Sequence, residues 1–152
     1  IVYHPHIVTA LLQTPGDIVM TYDTDWLALW QLRFEDPSCD AETIRVDDDG
    51  QLLAIGQKPE TLDDIQGQYM GLLKITPTGW QQIRHQLDAL SPDACDRLDM
   101  TSLLGRLLTE GIRVDTCPIT GRWCEVDSPS DLAAYIERCQ LPAPWAHDWR
   151  FT

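Results

Sequence analysis

The chain has 152 residues, 43% of them hydrophobic and 23% charged, which is enough for one domain with its own core and excludes wholesale disorder. No run of about 18 apolar residues is present to cross a membrane. Acidic residues outnumber basic ones 24 to 11, a net charge of −13, and Lys58 and Lys74 are the only lysines. Such a surface repels nucleic-acid backbones and anionic lipid, so a phosphate ligand needs a few aimed cations or a bridging metal.

Ile1-Val2-Tyr3 has the composition of a strand end; because the chain opens there without methionine, it reads as part of something longer. Residues 5–12 suit a short helix, followed by a turn at Gln13-Thr14-Pro15-Gly16. Residues 18–22 predict a buried parallel strand that ends in Asp23-Thr24-Asp25. Asp25 is expected to cap a helix marked by Trp26, Leu29, Trp30 and Arg33. A loop at a strand end is where open α/β sheets place ligands. Two β runs, 42–46 and 51–55, flank Asp47-Asp48-Asp49-Gly50 and predict a hairpin. Residues 68–75 read as a strand, with Gly67 and Gly71 permitting close backbone approach.

Pro77 opens a helix with Trp80, Ile83, Leu87 and Leu90 at helical spacing, and residues 101–110 predict another, stopped by Gly111. Residues 112–117 and 123–126 read as strands around the turn Gly121-Arg122. Ser128-Pro129-Ser130-Asp131 opens a last helix, with Ser128 as N-cap, Pro129 at the first helical position and Asp131 completing a capping box. The tail, 142–152, carries Trp145 and Trp149. Strands alternating with helices and interrupted by one hairpin predict a single α/β domain over 1–152. The five cysteines are scattered, with no CxxC and no zinc spacing, so reduced thiols of a cytoplasmic protein are expected.

Three groups of residues have chemistry to offer. Asp127, beside Glu125, either merely precedes a helix cap or presents hard oxygen to Mg²⁺, which takes one or two protein carboxylates together with substrate phosphates. Lys58, in Gly56-Gln57-Lys58-Pro59, is either a solvated surface charge or a phosphate contact. Tyr22, Asp23, Asp25, Trp26, Trp30, Tyr69, Asp99 and Trp123 combine aromatic faces with carboxylates, as a core does and as a cage for an ammonium group does.

Six motifs then occur in order: Asp23-Thr24-Asp25-Trp26 with Trp30 and Arg33; Asp40-Ala41-Glu42; Ile55-Gly56-Gln57-Lys58; Gly67-Gln68-Tyr69-Met70-Gly71-Leu72; Asp99-Met100-Thr101; and Trp123-Cys124-Glu125-Val126-Asp127-Ser128. From Ile1 to about Arg138 the chain resembles the phosphocholine cytidylyltransferase-like branch of the sugar-nucleotide pyrophosphorylase superfamily. The resemblance implies an α/β fold with a Rossmann-like three-layer nucleotidyltransferase sheet and an inserted β-hairpin. It implies a Mg²⁺-dependent enzyme that joins an NTP, CTP above all, to a phosphorylated or phosphonate small molecule and releases pyrophosphate. Phosphocholine, phosphoethanolamine and aminoethylphosphonate are the acceptors it brings forward, and neither a nucleic acid polymer nor a membrane is a partner.

Residue by residue, the resemblance makes Asp127 the metal ligand, with Glu125 beside it on the substrate side. Gly56-Gln57-Lys58-Pro59 is similar to the superfamily's E-K-P element, so Lys58 is the lysine expected to meet the acceptor phosphate and to act as this chain's catalytic residue. The family's own catalytic lysine lies upstream with the glycine-rich loop. Asp23, Trp26, Tyr69 and Asp99 are expected around a cationic head group. Gln57 stands where sugar-using members carry glutamate, which speaks against a sugar acceptor. The family's glycine-rich loop and its first metal aspartate precede the position of Ile1. The chain is therefore expected to be the C-terminal portion of such a domain, with its N-terminal part missing. It should be silent by itself, and either self-associate or pair with the N-terminal half. Two other readings stand beside this one: a non-catalytic pocket for a cationic phosphorylated metabolite, and a plain structural domain. A glycine-rich loop upstream would favour the enzyme.

Overall fold

The structure, a computed structural model, describes residues 1–150. In chain order its elements are β1 (Val2–Tyr3), α1 (His6–Gln13), β2 (Ile18–Asp23), α2 (Trp26–Arg33), β3 (Ile44–Val46), β4 (Leu52–Ile55), β5 (Gln68–Ile75), α3 (Pro77–Asp88), α4 (Pro92–Asp96), α5 (Met100–Thr109), β6 (Asp115–Ile119), β7 (Trp123–Cys124) and α6 (Pro129–Gln140). One-turn 3-10 helices lie at Pro37–Cys39 and Leu62–Asp64.

β2 is the central strand and is buried at every position, as its apolar run requires. It pairs in parallel with β6 and antiparallel with β5, giving the order β5-β2-β6. Side chains alternate across a strand, so β2 serves two cores. Val19 joins Ile7 and Leu11 of α1, Trp26, Leu29 and Trp30 of α2, and Tyr135 of α6. Ile18, Met20 and Tyr22 join Ile83 of α3 and Leu103, Leu104 and Leu107 of α5, together with Ile44, Leu52 and Ile55 of the β3–β4 hairpin. Helices therefore cover both faces of the sheet, the expected three-layer α/β architecture. The hairpin forms where Asp47-Asp48-Asp49-Gly50 predicts it: Asp47 Oδ1 accepts the N–H groups of Asp49 and Gln51 at 3.0 and 2.8 Å and closes the loop. It is tied to the main sheet through Leu52 N–H to Val114 O, 2.9 Å.

Several boundaries differ from expectation. The strand expected from residue 112 begins at Asp115, because Ile112 N–H is bonded to Leu107 O and Gly111 N–H to Leu108 O, the two bonds of a Schellman C-cap. β7 ends at Cys124 because its partner β1 opposes only Trp123 and Cys124. The helix at Trp26 forms, but the Asp25 side chain makes no cap bond; Asp23 Oδ1 takes the Asp25 N–H instead, at 2.9 Å. Trp80 is exposed rather than core: Gly79 packs so tightly on Asp17 O and Ile18 that the buried stripe of α3 runs through Gly79, Ile83 and Gln86. The short α4 is too brief to show helical periodicity. The capping box at Ser128 and Asp131 is formed as expected.

Gly67 is a close-approach glycine. A Cβ there would press into the Tyr22 ring and lie 2.7 Å from Asp23 O. Gly67→Ala is expected to destabilise the fold by about 1–3 kcal/mol, as overpacked sites do; an unchanged denaturation midpoint would contradict this packing. Among the described residues no helix is long and apolar enough to cross a membrane, and the five cysteines are free.

Candidate active site

The carboxyl end of β2 lies beside the segments that lead into β3 and out of β4. Asp23 and Tyr22 pair with Gln68 and Tyr69 at the start of β5. Gln68 is buried, and its Nε2 donates to Glu42 O at 2.8 Å, which ties β5 to the segment leading into β3. Gly56 N–H bonds Thr43 O and Thr43 N–H bonds Gln57 O, so the Gly56-Gln57-Lys58 turn lies beside Glu42-Thr43. Gly56 packs against Thr101 at the start of α5. The segments that carry Lys58, Tyr69 and Asp99 are thus neighbours, although the groove lined by Lys58 includes neither Tyr69 nor Asp99.

Within that region the residues differ in environment. Lys58 is exposed in a groove of about 230 Å³ whose lining includes Arg45, Gln57, Glu60 and Asp64. Asp99 is the N-cap of α5: Oδ1 accepts Ser102 N–H at 2.7 Å and the Thr101 hydroxyl at 2.9 Å, and Oδ2 accepts the Ser102 hydroxyl at 2.7 Å. The backbone N–H of Ser102, then the two hydroxyls, hold its carboxyl below the usual range. Tyr69 is half-buried, and burial pushes its phenol up to about 12. Glu42, which sequence reasoning quoted in a motif but gave no role, is half-buried near Asp99. Burial first, and the Asp99 charge second, raise its carboxyl. Two carboxylates so placed make a local field that favours a cation.

A second group surrounds Arg33, the last residue of α2. Its guanidinium lies 3.0 Å from Glu125 Oε2, 2.6 Å from Asp127 Oδ2 and 3.5 Å from Asp131 Oδ1. The Asp127 side chain is 63% exposed, and among the described residues it is engaged through Oδ2 alone. Glu125 is half-buried, and its carbonyl accepts the Tyr135 hydroxyl at 2.8 Å. Among the described residues no three His, Cys, Asp or Glu side chains are grouped to hold a metal by themselves. Asp127 still fits Mg²⁺ as a contributing ligand, since this ion is held by one or two carboxylates with substrate phosphates.

Two expected contacts are corrected by the structure. Asp23 is 0% exposed. Oδ1 accepts Asp25 N–H and Gly121 N–H at 2.9 and 3.0 Å, while Oδ2 accepts Trp123 Nε1–H at 2.7 Å and lies 2.9 Å from His147 Nε2. A carboxylate with four donors and no exposure is an internal anchor, not a substrate contact. Burial alone would push its carboxyl up; the bond from His147, then those from Gly121, Asp25 and Trp123, outweigh burial and hold it below the usual range. Trp26 is 5% exposed and packs edge-to-face on Trp30, ring centres 6.1 Å apart, so it is a core residue rather than an open face for an ammonium group. Neither Arg33 as a hub nor His147 was given a role from sequence. His147 lies in the irregular tail, where no periodicity marks a buried position.

No family model matches the chain. Over 144 residues it is 31% identical to the CTP:phosphoglutamine cytidylyltransferase of Campylobacter jejuni, an alignment that takes in 91% of this chain and 56% of that protein. The inositol-1-phosphate CTP transferase from T. maritima superimposes with a TM-score of 0.60 at 15% identity, covering 90% of this chain and 49% of that one. A CMP:2-keto-3-deoxy-manno-octonic acid synthetase complexed with CTP gives 0.54 at 16% identity, covering 90% and 57%. The chain spans about half the length of these relatives. Its architecture is the Rossmann-like α/β nucleotidyltransferase fold that these CTP-using proteins share.

Proposed function

We propose that the protein carrying this chain is a CTP-dependent cytidylyltransferase acting on a phosphorylated small molecule, and that this chain supplies the acceptor side and one carboxylate of a Mg²⁺ site. The observation that carries the reading is the 31% identity to a CTP:phosphoglutamine cytidylyltransferase across 91% of the chain. No two of the nine glycines have G-x-G spacing, so these residues hold no glycine-rich phosphate cradle and their share of the reaction is the acceptor.

Mg²⁺, when bound, neutralises phosphate charge and orients the reacting groups. Asp127 contributes an oxygen to that ion. Lys58, one of two lysines in a chain of net charge −13, holds the acceptor's phosphoryl group. Glu42 and Asp99 together favour an acceptor that also carries an ammonium group. The class then includes phosphocholine, phosphoethanolamine and aminoethylphosphonate, while the relative's own acceptor is phosphoglutamine. Free thiols accord with a cytoplasmic compartment.

Lys58→Ala is expected to weaken acceptor binding by about 1.5–3 kcal/mol, the worth of a hydrogen bond to a charged group. Steady-state kinetics should show this as a raised acceptor KM with the CTP KM unchanged. A rise in the CTP KM alone would move Lys58 to the nucleotide.

A further inference from the structure

Arg33 is buried to an unusual degree for a cation, its side chain 1% exposed. Its guanidinium carbon lies 5.2 Å from the Trp30 ring centre and 4.9 Å from that of Phe34, so aromatic rings take up its flat faces. Its edges point to three carboxylates, of Glu125, Asp127 and Asp131. Asp131 in turn uses its other oxygen, Oδ2, to accept the N–H groups of Asp127 and Ser128, both at 3.0 Å. Asp127 is therefore fixed twice, at its side chain by a bond from Arg33 Nη2 and at its backbone by Asp131, whose Oδ1 lies 3.5 Å from Arg33 Nε as an ion pair without a hydrogen bond.

We propose that Arg33 is a positioning residue for the metal-binding carboxylate: it clamps Asp127 Oδ2 so that Oδ1 is presented in one orientation. The proposal rests on the reading of Asp127 as a Mg²⁺ ligand. Mg²⁺ demands near-octahedral geometry at short distance, so a single exposed carboxylate serves it well only when its rotamer is set in advance. Carboxylates and imidazoles that ligate metals are oriented by such outer contacts, whose loss typically lowers affinity or activity about 10–100-fold. Lysine keeps the charge of Arg33 but lacks the planar fork that hydrogen-bonds Glu125 and Asp127 at once.

The test is Mn²⁺ binding to the CTP complex of the full-length protein, followed by electron paramagnetic resonance, with thermal melting in parallel. Arg33→Lys preserves the local charge, so a change in affinity reports geometry. Arg33→Lys and Arg33→Met should each bind Mn²⁺ about tenfold more weakly or worse. The double variant Arg33→Met with Asp127→Asn should bind no more weakly than Asp127→Asn alone. If Arg33→Met does not fold, Arg33→Lys carries the test. Loss of Mn²⁺ in Asp127→Asn with wild-type affinity in the Arg33 variants, or additive losses in the double variant, would overturn the positioning role alone. Wild-type affinity in Asp127→Asn would remove the metal role from Asp127 and this proposal with it.

Discussion

Asp127→Asn is expected to lower CTP-dependent pyrophosphate release about a thousandfold, the equivalent of about 4 kcal/mol of transition-state charge stabilisation supplied through the metal. The fold should survive. Asp127 is an exposed residue at the mouth of α6, and Arg33 keeps Glu125 and Asp131 as partners when the third carboxylate becomes an amide. Turnover at saturating Mg²⁺, with circular dichroism as the check on folding, measures the effect. Near-wild-type turnover would leave Asp127 with a helix-entry role only.

Asp23→Ala should have the opposite profile, a large loss of stability from a residue that meets no substrate. Removing the carboxylate leaves the Trp123 indole, His147 and the N–H groups of Gly121 and Asp25 without their acceptor in a buried site. Breaking one side of such a buried polar cluster costs about 3–5 kcal/mol. Urea denaturation checks the figure, and a loss below about 1 kcal/mol would contradict the anchoring role. The pH dependence has a definite sign. Because the folded carboxyl is held below its ordinary value, its contribution is complete above the unfolded value of about 4 and is lost as pH falls through the folded value. The gap in stability between wild type and the non-titrating Asp23→Asn should thus be full at neutral pH and shrink below pH about 4.

The elements with strong local signals were legible in the sequence. β2 opens as the apolar run Ile18-Val19-Met20, and β5 has a β-rich stretch entered through Gly67. Ser128-Pro129-Ser130-Asp131 is a capping box, and Asp47-Asp48-Asp49-Gly50 closes its hairpin by side-chain bonds within the loop. The misread boundaries belong to tertiary contacts. Gly79 against Asp17 rotates α3 so that Trp80 faces out, and the C-cap at Gly111 delays β6. At the site, composition marks Lys58 and the Glu125–Asp127 pair, because few lysines exist to choose from and carboxylates at a helix entry are conspicuous. It misassigned Asp23 and Trp26, since an acidic aromatic strand end looks the same whether its side chains face a ligand or a tail. The deciding partner of Asp23 is His147, separated from it by most of the chain.

The central claim is that the acceptor joins a phosphoryl group to a positive head group. Pyrophosphate release by the full-length protein with CTP and Mg²⁺, compared across phosphocholine, phosphoethanolamine, aminoethylphosphonate, phosphoglutamine and hexose 1-phosphates, tests it most directly. The account predicts turnover with at least one nitrogen-bearing acceptor, little with the sugars, and a raised KM for that acceptor in Glu42→Gln and Asp99→Asn. A clear preference for a hexose 1-phosphate, or no CTP-dependent release with any acceptor in the panel, would contradict it.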